Sequence, residues 1–340
     1  MPDILVLIGA FAVSAVLTGL LRRYALKTSL LDIPNQRSSH SIPTPRGGGL
    51  AIVAVFIVTS IGLVLTDVIG FDAFWAVFGG GLIVSVISYW DDLGHISARW
   101  RFLVHVLAAW WVIGWLGSVE NINLGFGVLD LGWFGAGLTI LFTVWMLNLY
   151  NFMDGIDGIA GVQAVSNSVG MAIILWYQEQ AGTALWLAGI GVTSAGFLVW
   201  NWPPAKIFMG DVGSSFLGFA FATFAILTHN EGGASIWVWL IMCGVFVVDA
   251  SFTLFRRMIG GQRWYAPHRT HAYQWASRQF GSHKAVTTAV LGINVLWLFP
   301  LAWYSAVEPE LGLLLVMTAY IPLLLLAIKF RAGVSESVSV

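Results

Sequence analysis

About eleven apolar runs, each close to the length needed to cross a lipid bilayer, divide this chain of 340 residues. Several are near the lower limit of roughly 17 residues for a spanning helix, so a count of ten stays open. Charged residues make up only 10% of the sequence, against roughly 25% in soluble domains. We therefore predict an all-α, polytopic membrane protein with a single domain, residues 1–340. The predicted spans are about 4–21, 48–66, 73–89, 101–117, 133–149, 158–176, 183–200, 213–228, 235–255, 285–306 and 310–329.

The distribution of charge predicts how these spans are oriented. With the N-terminus outside, all 16 Lys and Arg fall in or beside the inner segments, and the outer loops carry only acids. This arrangement agrees with the positive-inside rule. It also makes the C-terminus cytoplasmic. The predicted active-site face then consists of the inner loops 22–47, 90–100, 150–157, 201–212 and 256–284.

Three short acidic segments lie on this inner face. They are SYWDDLG (88–94), NFMDGIDG (151–158) and FMGDVGSS (208–215). Each shortly precedes a span whose helix N-terminus points to the cytoplasm, where unpaired N–H groups and the positive end of the helix dipole attract anions. One such segment alone is explained equally well as a helix cap beside a glycine turn. The predicted N-caps are Ser97, Asp157 and Ser214.

The five aspartates of these segments have few basic neighbours in the sequence, so a cluster of them needs a counter-charge. Side-chain oxygen ligands favour Mg²⁺, with Mn²⁺ as the alternative, over zinc. Because Mg²⁺ usually binds through one or two carboxylates plus substrate phosphates, we predict a metal that holds a pyrophosphate at the inner membrane surface. The five residues are Asp91, Asp92, Asp154, Asp157 and Asp211.

Two further inner loops contain candidate binding residues. In NWPPAKIFMGD (201–211), Phe208 is placed to stack on a nucleobase, although packing or lipid contact also explains a phenylalanine there. Loop 256–284 is strongly basic, and its general role is attraction to anionic headgroups. Within it, PHRTH is compact enough to clamp a phosphate or a sugar. Asp249 lies inside a span, where it pairs with Arg256 or lines the cavity.

Five motifs in order make the chain resemble the polyprenyl-phosphate N-acetylhexosamine-1-phosphate transferases. The resemblance covers nearly the whole chain and is most similar to the O-antigen-initiating branch, because the basic insertion typical of the peptidoglycan branch is absent. The motifs are PTPRGGGLAI (43–52), DDLGHISARWRFLVH (91–105), NLYNFMDGIDGIAG (148–161), NWPPAKIFMGDVGSSFLGF (201–219) and HRTHAYQ (268–274).

The resemblance implies transfer of a sugar 1-phosphate from a UDP-linked N-acetylated sugar to undecaprenyl phosphate, with release of UMP and a need for Mg²⁺. The setting it implies is the bacterial inner membrane, with the active site facing the cytoplasm. The expected donors are UDP-GlcNAc or a 6-deoxy relative such as UDP-FucNAc or UDP-QuiNAc. No nucleic-acid partner is expected, and an oligomer stays open.

The resemblance also implies roles for individual residues. Asp91, with Asp92 beside it, matches the residue that deprotonates or orients the lipid phosphate. Asp154 and Asp157 match residues that line the nucleotide pocket. The matched metal contacts are Asp211 and Asn151, the matched uridine contacts are Asn201 and Phe208, and the remaining substrate-binding candidates are Arg46, Arg101, His268, Arg269 and His271.

Two departures from the family pattern and two alternatives remain at this stage. Arg101 stands where many relatives have Lys, and Tyr273 and Gln274 replace two histidines of a common motif, which leaves the sugar's identity open. Direct attack by the lipid phosphate is favoured over a covalent aspartyl intermediate, since the phosphate is already an anion and needs positioning rather than activation. An ion-coupled transporter is the alternative of another class, although transporter sites lie near the bilayer midplane between repeats.

Overall fold

The computed structural model describes residues 2–34, 39–40, 42–94, 96–263 and 268–335. Three of the predicted inner loops therefore lie in part outside the described residues, at 35–38 and 41, at 95, and at 264–267. Helices dominate the described chain, which confirms the all-α class. The helices are α1 (Pro2–Lys27), α2 (Gly49–Leu65), α3 (Phe71–Leu93), α4 (Ala98–Leu116), α5 (Phe134–Met153), α6 (Ile159–Tyr177), α7 (Ala181–Asn201), α8 (Asp211–Asn230), α9 (Ile236–Met242), α10 (Gly244–Ile259), α11 (Ala272–Phe280), α12 (His283–Ile293), α13 (Phe299–Val307) and α14 (Gly312–Lys329).

The remaining regular elements are short. A π-helical turn (Asn294–Leu298) joins α12 to α13, and a 3₁₀ turn (Pro309–Leu311) precedes α14. Two small antiparallel sheets pair β1 (Leu31–Asp32) with β2 (Thr44–Pro45) and β3 (Asn121–Asn123) with β4 (Val128–Asp130). The β1–β2 pair lies at the end of the bundle where α1 ends and α2 begins, and β3–β4 lies between α4 and α5.

Eight helical segments of the described chain are long and apolar enough to cross a membrane. The helices α9 and α10 are bent by 80° at a short break. If this pair is one span, the count of candidate spans among the described residues is nine. The other two predicted spans fall on α2, which has only 17 residues, and on α4, whose first turn carries Arg99 and Arg101. Each predicted span thus overlaps helix, while the count of eleven and the orientation in the bilayer stay predictions.

The central helix is α8, which is buried along nearly its whole length and packs against α2, α3 and α5. Glycines allow these close approaches. Gly80 of α3 faces the ring of Phe219 on α8, and Gly218 of α8 faces the backbone of α5 at Met146. A Cβ at either glycine would overlap its neighbour, so the helices meet at small residues, as is common in membrane bundles. This packing brings the ends of α3 and α5 beside the start of α8.

The starts of two helices differ from the sequence prediction. Ser97 is the N-cap of α4, as predicted, but Gly158 and Gly210 occupy the N-cap positions of α6 and α8. The predictions for Asp157 and Ser214 are therefore wrong. The physical reason is the backbone: both glycines have positive φ, 77° and 79°, a region that side-chain-bearing residues avoid.

Buried polar side chains stabilise the bend between α9 and α10. Gln163 Nε2 donates to the Met242 carbonyl at 3.1 Å, and Asn167 Nδ2 contacts Cys243 Sγ at 3.2 Å. The side-chain oxygen of Gln163, Oε1, in turn accepts a hydrogen bond from Asn294 Nδ2 at 2.8 Å. Since an unpaired carbonyl in an apolar setting is costly, this network supports the break and directs α10 toward the acidic end of the bundle.

Candidate active site

A cavity of about 290 Å³ lies where the ends of α3, α5 and α7 meet the starts of α6 and α8. It collects side chains from all three acidic segments, as predicted from the sequence. It also reaches the end of the β1–β2 region and the start of α11. Of the sequence-predicted site residues, those that line it are Arg46, Asp92, Asp154, Asp157, Asn201, Phe208, Asp211 and His268.

Asp211, the first residue of α8, is where three segments converge. Its Oδ1 accepts a hydrogen bond from Asn151 Nδ2 at 3.0 Å, and its Oδ2 lies 3.9 Å from an Arg101 nitrogen. Arg101 also forms an ion pair with Asp91, whose other oxygen accepts the Ile96 N–H at 2.9 Å. Arg101 Nη1 thus faces the carboxyl groups of both Asp91 and Asp211. Residues far apart in sequence therefore share one patch of negative charge.

Arg46 supplies the second positive charge of the site. Its guanidinium lies 3.8 Å from Asp92 Oδ1 and also donates to the Asp92 carbonyl. Its Nε is buried and has no hydrogen-bond partner among the described residues, which leaves a donor for an anionic ligand. Backbone bonds hold the arginine in place, since the Phe208 N–H donates to the Pro45 carbonyl at 2.8 Å.

Asp154 lies directly after α5 and lines the cavity. Burial raises the pKa of its carboxyl well above the usual range, and the nearby charges of Asp211, Asp92 and Asp157 raise it further. When no cation is bound, burial and the neighbouring acids therefore disfavour the charged form of this carboxyl. A bound divalent ion would favour the charged form by the same electrostatic logic.

Asp157 differs from Asp154 because both of its carboxylate oxygens are engaged. Oδ1 lies 3.3 Å from His283 Nδ1, and Oδ2 accepts the Ala205 N–H at 3.0 Å. Burial alone would raise the pKa of Asp157, but the contacts with His283 and Ala205 outweigh it and lower the pKa. His283 Nε2 also lies 3.1 Å from the Ser39 carbonyl oxygen, so this pair ties three loops together.

The chemistry of these side chains fits a hard divalent cation. Among the described residues, no three His, Cys, Asp or Glu side chains already surround a common metal position. Mg²⁺ does not require such a cage, because waters and substrate phosphates complete its octahedral shell. Asp211 and Asn151 offer side-chain oxygen ligands, and Asp91 and Asp92 add negative charge beside Arg101 and Arg46.

The two predicted uridine contacts occupy different positions. Phe208 lines the cavity, and its ring meets His40 edge-on with centroids 4.8 Å apart. Asn201 is buried: its Oδ1 accepts the Gly158 N–H at 3.0 Å, and its Nδ2 donates to the Ile207 carbonyl at 2.9 Å. The Asn201 amide thus positions the loop before Phe208, and a direct contact with a nucleotide stays a prediction.

The predicted clamp of His268, Arg269 and His271 is divided by the structure. His268 lines the acidic cavity. His271 is buried at the start of α11, with Nδ1 3.3 Å from Asp249 Oδ1. Arg269 lines a second cavity, next to Arg278. The structure therefore does not bring these three side chains to one ligand.

Asp249 holds the start of α11 in place. Its Oδ1 accepts the Ala272 N–H and its Oδ2 accepts the Tyr273 N–H, each at 2.9 Å, in addition to the contact with His271. Both sequence-based alternatives, pairing with Arg256 and lining the cavity, are wrong. The first N–H groups of a helix lack intrahelical partners, and a carboxylate is the ligand that they favour most.

Sequence reasoning missed several residues that shape the cavity. His283 and His40 line it, although His283 was noted only as part of a basic loop and His40 gave no signal. Gln274 lines it as well, and Tyr273 donates from its hydroxyl to the Phe152 carbonyl at 2.9 Å. In the motif HAYQ, Tyr273 and Gln274 stand where related motifs have histidines. This difference was the signal in the sequence that pointed to both Tyr273 and Gln274.

We expect Gly155→Ala to destabilise the site, because a Cβ at position 155 would overlap the Tyr273 hydroxyl. Relief requires movement of α11, and overpacking of this kind costs about 1–3 kcal/mol. The measurement is the thermal midpoint of the purified protein in detergent. Gly94→Ala is the matched control, since a Cβ at Gly94 meets no atom within 4 Å. Equal midpoints for the two variants would contradict the packing described here.

We expect His268 to contribute to loss of stability in acid. Burial lowers the pKa of His268 to about 3, with His271 and Arg257 adding to the effect. In the unfolded chain this histidine has a pKa of about 6.5, so between about pH 6.5 and pH 3 the unfolded chain binds a proton that the folded protein does not bind. The free energy of unfolding therefore falls as the pH falls through this range. Because the side chain is partly exposed, the effect is about 1 kcal/mol.

The test compares thermal midpoints at about pH 7.5 and about pH 5. The loss of stability through His268 should be small at the first pH and clear at the second. His268→Gln should lose less stability in acid than the unaltered protein. His229→Gln, at the opposite end of α8, should change nothing. An unchanged acid sensitivity in His268→Gln would show that another group is responsible.

A helical membrane bundle that gathers carboxylates, arginines and glycine turns at its helix ends has the architecture of an integral-membrane enzyme. A midplane transport site would lie elsewhere. A family model described as glycosyl transferase family 4 matches residues 74–229, which contain α4 to α8 and most of α3. The chain belongs to the polyprenyl-phosphate N-acetylhexosamine-1-phosphate transferases of this family, as its motifs predicted.

Three curated relatives illustrate the similarity. A Bacillus subtilis (strain 168) protein named as a probable undecaprenyl-phosphate N-acetylglucosaminyl 1-phosphate transferase is 31% identical over 265 residues, 76% of this chain and 72% of the relative. The Escherichia coli O157:H7 undecaprenyl-phosphate alpha-N-acetylglucosaminyl 1-phosphate transferase is 28% identical over 320 residues, 89% and 85% of the two chains. A phospho-N-acetylmuramoyl-pentapeptide-transferase of Limosilactobacillus fermentum is 33% identical over 183 residues, 50% and 56%. The transporter alternative has no support from these findings.

Proposed function

We propose that this protein transfers a sugar 1-phosphate from a UDP-N-acetylhexosamine to undecaprenyl phosphate, with Mg²⁺ as cofactor, at the cytoplasmic face of a bacterial inner membrane. The observation that carries the proposal is the convergence of Asp91, Asn151 and Asp211, from three separate segments, beside Arg101. Family membership supports the reaction class.

The nucleotide part of the proposal rests on one rim of the cavity. Phe208 presents an aromatic ring there, and ring stacking suits a uracil base. Arg46, with its unpartnered Nε, follows Pro45, whose carbonyl accepts the Phe208 N–H, and it suits a phosphate oxygen. Gly210 and Asp211, at the start of α8, line the same cavity, and helix N-termini favour phosphates.

The acceptor lipid requires an apolar path that leads to this cavity. A groove of about 840 Å³ runs between α5 and the bent pair α9–α10, and its lining is almost entirely apolar. Leu141 and Trp145 of α5 contribute to one wall, and Phe255 and Met258 of α10 to the other. The same helix α5 carries Asn151 in its last turn and ends at Met153, next to the acidic cavity. A polyprenyl chain in the groove would therefore direct its phosphate toward that cavity.

The chemistry that fits best is a single displacement. An oxygen of the lipid phosphate attacks the sugar-linked phosphorus of the UDP-sugar, the bond from that phosphorus to the bridging oxygen breaks, and UMP leaves. A bound Mg²⁺ held by Asp211 and Asn151 would neutralise the diphosphate. Arg101 and Arg46 orient phosphate oxygens. Asp91, which is held by its ion pair with Arg101, lies beside the phosphate of the acceptor lipid. A covalent step at Asp157 is disfavoured, since both its oxygens are engaged.

The donor sugar is proposed to be N-acetylglucosamine or a 6-deoxy relative such as N-acetylfucosamine or N-acetylquinovosamine, for the start of O-antigen or another surface polysaccharide. Gln274 lines the cavity beside Gly155, and the buried Tyr273 packs against Gly155 from outside the cavity lining. Gln274 thus presents a neutral amide at a position where related motifs have histidine. This amide supports recognition of an uncharged sugar by hydrogen bonds.

The deciding experiment incubates the purified full chain with undecaprenyl phosphate, Mg²⁺ and a panel of UDP-sugars. We expect UMP and a lipid product with the mass of undecaprenyl diphosphate plus one N-acetylated sugar. A chelator should abolish the reaction, and Mg²⁺ or Mn²⁺ should restore it. Absence of product with every UDP-N-acetylhexosamine would overturn the proposal. UMP release that survives chelation would overturn its metal component.

A further inference from the structure

We propose that Thr270 and Arg257 fix His268 as the tautomer that carries its proton on Nε2, and that this N–H donates a hydrogen bond to an oxygen atom of the UDP-sugar. The identity of that ligand rests on the proposed function. His268 lies between the end of α10 and the start of α11 and lines the acidic cavity. Thr270 and Arg257 are buried outside the cavity lining, so they act as positioning residues.

The tautomer of His268 follows from the groups around its Nδ1 atom. The backbone N–H of Thr270 lies 3.4 Å from Nδ1, and a backbone N–H can only donate. The Thr270 hydroxyl oxygen lies 3.1 Å from the same atom. In a neutral imidazole one nitrogen accepts and the other carries the proton. Nδ1 is therefore the acceptor, and the proton is on Nε2.

Arg257 determines how the Thr270 hydroxyl is oriented. Arg257 Nη1 donates to Thr270 Oγ1 at 3.4 Å, and Arg257 Nη2 donates to the Arg263 carbonyl at 3.2 Å. A guanidinium has donors but no acceptor, so the hydroxyl oxygen accepts from Arg257 and the hydroxyl proton is left for His268 Nδ1. Arg257 is only 7% exposed, so the surrounding packing restricts the position of its guanidinium.

The groups around His268 also keep its ring neutral. Burial is the main cause that lowers the pKa of His268 to about 3; His271 and Arg257 act in the same direction, and Asp249 opposes them. At neutral pH the ring therefore has a single N–H. Because Nε2 has no hydrogen-bond partner among the described residues, this N–H is available to a ligand in the cavity.

The neighbouring His271 has the opposite arrangement at Nδ1. The two ring centroids are 4.8 Å apart. Asp249 accepts the backbone N–H groups of Ala272 and Tyr273, and its Oδ1 lies 3.3 Å from His271 Nδ1. A carboxylate accepts, so Nδ1 of His271 carries a proton. His271 is buried, whereas His268 lines the cavity, so His268 is the ring that can reach the UDP-sugar.

The direct test is ¹⁵N NMR of the purified full chain in liposomes at neutral pH, without substrates. All seven histidines are labelled at both ring nitrogens, and the variants His268→Gln and His271→Gln assign the two signals of interest. We expect His268 to be protonated at Nε2 and unprotonated at Nδ1, and His271 to be protonated at Nδ1. A proton on Nδ1 of His268 would overturn the proposal.

Steady-state kinetics tests whether this arrangement contributes to binding. Thr270→Val should raise the KM for the UDP-sugar about three- to tenfold, the effect of losing one hydrogen bond that orients the donor. The kcat and the KM for the acceptor lipid should stay the same. Thr270→Ser, which keeps the hydroxyl, should restore the KM. Inhibition by UDP identifies the oxygen: unchanged inhibition of Thr270→Val assigns the sugar, and equally weakened inhibition assigns the diphosphate.

Thr223→Val is the matched control, because the buried Thr223 hydroxyl donates to the Phe219 carbonyl within α8. It should leave the KM for the UDP-sugar unchanged, and thermal midpoints report whether each variant is folded. An equal rise in the KM of Thr270→Val and Thr223→Val would overturn the positioning role, as would a rise that Thr270→Ser does not reverse.

The NMR measurement needs neither a change at position 270 nor any substrate. If Thr270→Val fails to fold, the signals of the unaltered protein still decide the tautomer of His268. If the unaltered protein transfers no sugar phosphate, the proposed function is overturned, and the tautomer is decided separately by the same signals.

Discussion

Asp211→Asn should lower the rate of UMP release by about a thousandfold or more, with little change in stability. The substitution keeps the shape of the side chain and its contact with Asn151, but it removes the charge at the point where three segments converge. Loss of one group that stabilises developing charge costs about 10²–10³ in rate, and loss of a metal ligand adds to that. The measurement is UMP release at saturating substrates, with the thermal midpoint as a check on folding.

Asp130→Asn is the matched control for this prediction. Asp130 lies in the β3–β4 hairpin, where its carboxylate accepts the Gly132 N–H, and it is exposed. Its rate should equal that of the unaltered protein. Asp91→Asn should resemble Asp211→Asn, since the carboxyl groups of both residues face Arg101. Near-normal turnover in either acidic-site variant would contradict the assignment of the active site.

Asp249→Asn should loosen α11 and raise the KM for the UDP-sugar by about tenfold or more, with a smaller effect on the acceptor lipid. Asp249 accepts hydrogen bonds from the N–H groups of Ala272 and Tyr273. An asparagine presents an NH₂ group to one of these donors, and an unsatisfied buried donor costs about 1–3 kcal/mol. Because Tyr273 reaches the Phe152 carbonyl, a shift of α11 changes the wall near Gly155.

Steady-state kinetics with each substrate varied in turn measures this effect, and limited proteolysis within 256–284 reports on the loop directly. Thr253→Val is the control that separates positioning from general destabilisation. The Thr253 hydroxyl donates to Asp249 Oδ1 at 3.1 Å, so its loss removes one buried contact but leaves α11 held. If Thr253→Val and Asp249→Asn raise the KM equally, Asp249 has no specific positioning role.

Most of the fold followed from local properties of the sequence. Apolar runs of spanning length predicted the positions of the helices, because a backbone in lipid must satisfy its own hydrogen bonds. The α9–α10 pair shows where this reasoning stops. Its apolar run reads as one span, yet the helix breaks beside Cys243 because Gln163 and Asn167, on α6, bind there. No local pattern in residues 235–255 contains that information.

The acidic residues of the site show the same difference between what the sequence predicts and what the packing of distant segments decides. Asp92, Asp154 and Asp211 were expected to meet, because an excess of acids at one rim needs a shared counter-charge, and the cavity collects all three. Their partners were not predictable from spacing. His283 pairs with Asp157 across 126 residues of chain, and Arg269 lies in a different cavity from His268 although they are adjacent in sequence.

The sequence by itself determined that this chain is a helical membrane protein of a known transferase family, with five aspartates in three short segments at predicted helix ends. These are properties of composition, length and motif, which depend on neighbours along the chain. Only the tertiary structure decided that Asp249 holds α11, that Asn201 positions a loop, and that Arg257 donates to Thr270. Those contacts depend on how helices from distant parts of the chain pack, and close packing is set by the whole bundle at once.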